Sequence, residues 1–208
     1  MTTPRVSIVT TVYDRVACLQ RCLRSMQHSA LADWEQIVVS DAPSPGVVAQ
    51  VAALVAGAGT RVSHLNLGRR ANDWGMTPAW AGLRAARGAY VCFLSDDNAY
   101  LPQHFTPLVD ALDADPALGF AYSSCRYAGR TVLNVAPPQG ARIDLGQPLF
   151  RRSVLLDAFP SGLPSREFAW DWRMIGGLVE RGVPWRHIDA QTFIFRLAAY
   201  PDVVRLLA

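Results

Sequence analysis

Residues 6–12 read VSIVTTV, a short run dominated by β-branched side chains, and comparable runs recur at Gln36–Val39, Arg61–Leu65 and Tyr90–Leu94. Each reads as a strand. Between them the apolar positions switch to three- and four-residue spacing, near Val16–Ser29, Val47–Ala56 and Pro78–Arg87, which is the period of a helix with one buried face. Ser44-Pro45 marks the start of the second of these, serine as the cap and proline in the first turn. Strand and helix alternating in this way predict crossover units and a mainly parallel sheet flanked by helices, an α/β fold. After about residue 100 the rhythm changes. A helix is expected over Pro102–Asp113, then strands at Gly119–Tyr127 and Thr131–Val135 around a turn at Gly129-Arg130. A loop at Pro137–Gly140 leads to helices near Arg152–Ala158 and Glu167–Arg181, the latter ended by Gly182. No internal repeat or low-complexity tract interrupts the chain, and 208 residues suit a single domain.

Composition narrows the chemistry. Half the residues are apolar and 18% are charged, the balance of a compact globular domain. A net charge of +3, with basic residues scattered along the chain, gives no indication of a nucleic-acid partner and leaves small anionic ligands open. All twenty basic residues are arginine. Lysine-imine and pyridoxal chemistry therefore lack their nucleophile, and a phosphate-binding G-x-x-x-x-G-K-[ST] loop cannot be built. The four cysteines, Cys18, Cys22, Cys92 and Cys125, have neither the C-x-x-C spacing nor the histidine partners of a zinc site and are expected as free, mostly buried thiols in a reducing compartment. The start of the chain enters a strand with no basic region and long apolar stretch before it, so no signal peptide is expected. No segment approaches the roughly 20 apolar residues of a membrane span. A cytoplasmic enzyme is the resulting expectation, with peripheral membrane attachment and a homodimer left open.

In open α/β sheets ligands bind beyond the carboxyl ends of the strands. Three of the four predicted ends carry aspartate: Asp14 after the first, Asp41 after the second and the pair Asp96-Asp97 after the fourth. The third opens into a loop, Asn66–Trp74, with Arg69 and Arg70. The first strand leads into TVYDRVA, which has no glycine and so cannot serve as the G-x-G-x-x-G turn of a dinucleotide-binding fold. A divalent cation on carboxylates is the obvious substitute for holding phosphate. Adjacent Asp96 and Asp97 are hard oxygen donors suited to Mn²⁺ or Mg²⁺, the other ligands coming from diphosphate oxygens and water. A turn or helix cap is the ordinary alternative for such a pair.

Four segments, in order, resemble family 2 glycosyltransferases of GT-A fold. VSIVTTVYDR is similar to their first strand and Y-[DN]-R turn, and WEQIVVSDAPSP to their second strand and acidic turn. RGAYVCFLSDDNAYLP is similar to the segment carrying their metal-binding D-x-D, and FAWDWRMIGGLVERG to the helix that brings the catalytic base. The resemblance implies a single GT-A domain over residues 1–208, with residues 1–100 as the nucleotide-sugar half and 101–208 as the acceptor side. It implies transfer of one sugar from a nucleoside-diphosphate sugar, a UDP-sugar by default, to a hydroxyl of a glycan, lipid-linked or small-molecule acceptor, with inversion. Asp41 would accept a hydrogen bond from the base, Thr11 and Tyr13 would pack on base or ribose, Asp96 would meet the ribose and Asp97 the metal. Arg69 and Arg70 offer forked donors to phosphate or base, and Asp73 a contact to the donor sugar. Asp171, between Trp170 and Trp172 at the start of a helix, is the candidate base, with the tryptophans available to sugar faces.

Some positions depart from the family pattern. Ser95 stands at the first place of the D-x-D, Trp170 where an acidic partner of the base is usual, and Ala198 where a histidine is often found. His187 is expected as a packed or surface residue rather than a ligand. Two rivals remain: a non-catalytic glycosyltransferase-like module binding a nucleotide or glycan, and a sugar nucleotidyltransferase, whose glycine- and basic-rich first loop this sequence lacks.

Overall fold

A computed structural model describes residues 3–127, 130–164 and 167–196. Its first half is four parallel strands, β1 (Val6–Val12), β2 (Trp34–Ser40), β3 (Val62–Asn66) and β4 (Tyr90–Phe93), in the spatial order β3-β2-β1-β4. Helices α1 (Val16–Gln27), α2 (Pro45–Gly57) and α3 (Met76–Ala85) make the crossovers. Strands β1 and β2 are buried almost throughout, which explains why they read as continuous apolar runs instead of alternating ones.

The second half supplies β5 (Ala99–Tyr100), α4 (Phe105–Ala114), β6 (Phe120–Tyr127), β7 (Arg130–Val132), β8 (Pro148–Arg151), α5 (Arg152–Ala158), α6 (Trp170–Glu180) and β9 (Trp185–Ile194). The described strands form one sheet in the order β3-β2-β1-β4-β8-β6-β9-β5, with β7 paired to β6. Past β4 the pairing turns mainly antiparallel, through β4-β8, β8-β6, β6-β7 and β5-β9, while β6-β9 stays parallel. The sheet is therefore parallel where the alternating pattern predicted it and mixed beyond.

Helices cover both faces. Val6, Ile8 and Val12 of β1 point into a core with α1, α2 and α4, whereas Val9 points into the other, with α3, α5 and α6. This is the period-two alternation of a strand sandwiched between layers. On the second face α3 lies very close to the sheet: a Cβ at Gly82 would stand 2.3 Å from Val9 Cγ1. That approach brings the start of α3, and the loop before it, over the carboxyl ends of β1 and β2.

Three strands were not foreseen. Strand β5 has two residues, β8 opens with a proline tolerated at a strand's first position, and β9 is half-exposed and polar over much of its length. Several boundaries also move: α4 begins at Phe105 after a turn over Pro102–His104, α6 at Trp170, and β7 ends at Val132, before Leu133 with φ of 51°. Ser44 does occupy the cap position of α2, but its side chain makes no capping hydrogen bond. All four cysteines are free, and Cys22, Cys92 and Cys125 are buried. Ala198 lies outside the described residues.

Candidate active site

The site forms where β1, β2 and β4 end together. One cleft there is lined by Thr11, Tyr13 and Arg15 from the β1 end, Asp41 from the β2 end, and Ser95 and Asp96 after β4. Arg70 reaches into this region: its guanidinium carbon lies 4.0 Å from the centre of the Tyr13 ring, a cation–π contact. Arg69 is exposed and lines neither this cleft nor the cavity beside it.

Asp41 is buried, and its carboxylate accepts the backbone N–H groups of Ala71 at 2.7 Å and Asn72 at 3.0 Å. The β2 end thereby holds the loop that follows β3. Asp73 is buried too and does a similar task one step on, accepting from the Thr77 backbone at 3.2 Å and hydroxyl at 2.5 Å in the first turn of α3. Between these two anchors Asn72 (φ 49°), Trp74 (φ 59°) and Gly75 (φ 83°) adopt left-handed backbone, and Ala42 (φ 44°) does so beside Asp41. Such conformations are uncommon for residues other than glycine and gather where a functional geometry is enforced. Their outcome is an indole, Trp74, held 69% exposed at the mouth of the cleft. Phe168 packs edge-on against it, with ring centroids 4.9 Å apart.

The two acidic residues after β4 have a partner that sequence reasoning did not single out. Arg15 donates from Nη2 and Nε to Asp96, the latter at 3.3 Å, and from Nη1 to Asp97 at 2.6 Å, so a single guanidinium bridges both carboxylates. Burial pushes the Asp96 carboxyl up, Arg15 opposes that, and Asp97 adds to it; the result is about 6. For Arg15 burial favours the neutral form, but Asp96 and then Asp97 outweigh it and hold the guanidinium charged. The signal was present in the Y-D-R turn, three residues that carry a cation to the end of β1.

The Asp96 side chain is only 2% exposed and the Asp97 side chain 28%. Among the described residues no three His, Cys, Asp or Glu converge to hold a metal. The donor set instead suits Mg²⁺ or Mn²⁺ shared between one or two carboxylates and phosphate oxygens.

A second cavity, of about 120 Å³, adjoins the first and shares Thr11, Trp74 and Ser95 with it. It is lined in addition by Asp144, Trp170 and Asp171. Asp171 stands in the first turn of α6, half-buried, and one of its oxygens accepts the N–H of Trp172 at 2.7 Å. Trp170 is buried against Phe93 and donates its indole N–H to the Trp74 carbonyl at 3.0 Å, so it serves the core and the loop more than an open sugar platform. Trp172 packs over Gly140 and Gly176. His187 is stacked on Tyr122 at 4.8 Å and hydrogen-bonded to Ser124, a packed residue as expected. Thr11, Tyr13, Asp41, Asp96 and Asp171 therefore line two joined cavities; Arg70 and Asp97 line neither but hold to the lining residues Tyr13 and Arg15, Asp73 is buried and Arg69 lies outside. Asp144 is the second residue that sequence reasoning missed, for it sits between the loop at Pro137–Gly140 and the helix at Arg152–Ala158, in a stretch to which the sequence pattern assigns no element.

Comparison with known proteins agrees with this arrangement. The family described as glycosyl transferase family 2 matches residues 7–157, from β1 into α5, a span that holds the Arg15–Asp96–Asp97 cluster and Asp144 but ends before Asp171. The O-antigen biosynthesis protein RfbC of Myxococcus xanthus is 30% identical over 121 residues, 58% of this chain and 9% of that protein. An uncharacterized protein of Mycobacterium tuberculosis, MT1568, is 29% identical over 127 residues, 59% of this chain and 37% of its own length. Among solved structures, residues 1–349 of S. aureus TarS in complex with UDP superpose with a TM-score of 0.72 at 14% identity, over 98% of this chain and 64% of that one. The mannosyltransferase PcManGT of Pyrobaculum calidifontis, in complex with GDP-Man and Mn²⁺, gives 0.74 at 19% identity, over 95% and 58%. The chain spans less than two thirds of the length of each of these proteins. With its fold matched by GT-A glycosyltransferase structures and nearly three quarters of its length matched by the family, this chain belongs to glycosyl transferase family 2.

Proposed function

We propose that this glycosyltransferase moves one sugar from a nucleoside-diphosphate sugar, with a UDP-sugar as the favoured donor, to an acceptor hydroxyl, with inversion at the anomeric carbon. The observation that carries this reading is the pair of joined cavities, one lined by Tyr13, Asp41 and Asp96, the other by Asp171, with Asp97 tied through Arg15 to Asp96. Solved relatives of the same fold are described with UDP, UDP-GlcNAc, or GDP-Man and Mn²⁺, which supports a nucleotide-sugar donor.

In this reading the first cleft takes the nucleoside. The Tyr13 ring, faced on one side by Arg70, packs on the base or ribose, Thr11 lines the same wall, and the remaining lone pairs of Asp41 accept from the base. Asp96 accepts from a ribose hydroxyl. Arg70, with Arg69 at the rim, offers charge to the diphosphate. Asp73 acts on the donor sugar through the loop it anchors, by fixing where Trp74 stands. Residues 1–100 are then the donor half and 101–208 the acceptor side. Mn²⁺ or Mg²⁺ held at Asp97 would supply neutralisation of the charge that develops on the departing diphosphate.

Asp171 removes the proton from the acceptor hydroxyl as that oxygen attacks the anomeric carbon, and the bond to the diphosphate oxygen breaks on the opposite face of the sugar. That Asp171 lines the same cavity as Ser95, just after β4, supports this reading. Without Asp171 the donor still binds but the nucleophile loses its proton acceptor. Asp171→Asn is therefore expected to lower the rate of donor turnover, followed as nucleoside diphosphate released, by roughly 10²–10⁴-fold with nucleotide affinity unchanged. Equal turnover by the variant would remove Asp171 from the reaction, and absence of turnover by the unmodified protein with any donor would favour a nucleotide- or glycan-binding module instead.

A further inference from the structure

Asp144 lies on the wall of the inner cavity and is given no part in the reaction above. Its position is nonetheless built with care. The backbone N–H of Asp144 donates to Gln147 Oε1 at 2.7 Å, and Gln147 Nε2 donates in turn to the carbonyls of Ser123 at 2.7 Å and Leu133 at 2.6 Å. Tyr100 donates its hydroxyl to the Gly146 carbonyl at 2.7 Å. Gln147 and Tyr100 are both buried, so the turn rests on a satisfied polar network inside the protein. Gly146 has no room for a side chain, since a Cβ there would lie 2.4 Å from the Phe193 ring.

On this fixed turn the Asp144 carboxylate accepts the Gly146 N–H through Oδ1 at 2.8 Å. Among the described residues its second oxygen has no protein hydrogen-bond partner, and the side chain lines the cavity shared with Ser95, Trp170 and Asp171. The negative charges of both Asp171 and Asp97 reach it. Burial in the first place, then Asp171 and Asp97, push its carboxyl up to about 6 against the Gly146 N–H, so at neutral pH it is an anion in want of donors.

A displacement places the transferred sugar between the leaving diphosphate and the base, and Asp144 stands within the field of both. We propose that Asp144 is a specificity-determining residue that accepts hydrogen bonds from hydroxyl groups of the transferred sugar, and that the sugar is accordingly uncharged rather than a uronic acid. The second half of the statement follows from charge. Among the described residues, those lining this cavity include Asp144 and Asp171 and no arginine or histidine, so a sugar carboxylate would meet two anions and no cation from them. A hydroxyl-bearing ring brings the donors those anions lack. This inference rests on the donor reading proposed above.

Asp144→Asn tests it, because asparagine keeps an oxygen for the Gly146 N–H and so keeps the turn, while removing the charge. Calorimetric titration with Mn²⁺ would compare UDP with UDP-glucose, UDP-GlcNAc and UDP-glucuronate, and GDP with GDP-mannose, on the unmodified protein and the variant. The expected result is that at least one neutral donor binds more tightly than its bare nucleotide, that Asp144→Asn loses this gain by roughly ten- to a hundredfold, and that nucleotide affinity stays the same. UDP-glucuronate should bind the unmodified protein no better than UDP. A sugar-dependent gain that survives in Asp144→Asn, or a preference for UDP-glucuronate over the neutral donors, overturns the inference while leaving the donor site standing. Failure of UDP and GDP themselves to bind the unmodified protein instead overturns the donor site, and this inference with it.

Discussion

Arg15 answers two carboxylates with one guanidinium, and the two differ in exposure: the Asp96 side chain, on the cleft wall, is 2% exposed and the Asp97 side chain 28%. Glu35 shows the contrasting case of an acid that serves stability alone. It lies at the opposite end of the sheet, where Ser7 donates to it at 2.7 Å and Arg87 donates from its backbone at 2.8 Å and its guanidinium at 2.6 Å. Burial raises its carboxyl, but the Ser7 and Arg87 hydrogen bonds and the Arg87 charge outweigh that and hold it below the ordinary value. Because the folded value is the lower one, the stabilisation is present above the unfolded value near pH 4.3 and is lost as pH falls through the folded value. Glu35→Gln should therefore cost about 1.5–3 kcal/mol at pH 7, and the gap to the unmodified protein should close progressively below pH 4 in urea unfolding curves. A gap that widens on acidification would contradict this assignment. The residues of the site were legible in proportion to how much their position depended on strand ends. Asp41, Asp96 and Asp97 follow short apolar runs that announce themselves, whereas the Y-D-R turn shows a cation at the end of β1 but not its partner Asp96, 81 residues away. Asp144 was hidden for a different reason, although Asp-x-Gly is a turn in which the aspartate side chain binds backbone two residues on.

At the scale of elements, the placing of α3 governs the site, since its first turn carries Thr77, the partner of Asp73, and the loop before it holds Asp73 and presents Trp74. That placing depends on a glycine in contact with the sheet. Adding a methyl group at Gly82 puts it 2.3 Å from Val9 Cγ1 and about 3.2 Å from Val39 Cγ2, both on buried strands, so the helix must lift. Gly82→Ala is expected to lose about 1–3 kcal/mol of stability despite alanine's better helix propensity. A urea midpoint equal to or above that of the unmodified protein would show that the helix accommodates the methyl without cost. Elements formed by local pattern were readable: β1 and α5 begin and end where the residues place them, and the first three helices fall within a few residues. Elements that exist only through pairing were not. Strand β9 has a polar, half-exposed sequence and is defined by its contacts with β6 and β5, and β5 is two residues that β9 alone makes into a strand.

For the whole molecule, the change from parallel to mixed pairing beyond β4 is what opens a site at all. Strands β2, β1 and β4 end in acidic loops and β3 in a loop with Arg69 and Arg70, and the sheet then continues through β8 and β6 so that the 143–147 turn and α6 face those ends. Among the described residues no helix is long and apolar enough to cross a membrane. Fold similarity alone leaves donor and acceptor open, so the donor site has to be tried by its own residues. The most direct trial is isothermal titration of UDP, GDP and dTDP, with and without Mn²⁺, into the unmodified protein and into Asp97→Ala. The account predicts that one of the nucleotides binds, more tightly with Mn²⁺, and that Asp97→Ala removes the metal-dependent part of the affinity. Binding of none of the three, or an Mn²⁺ effect that persists undiminished in Asp97→Ala, would contradict it.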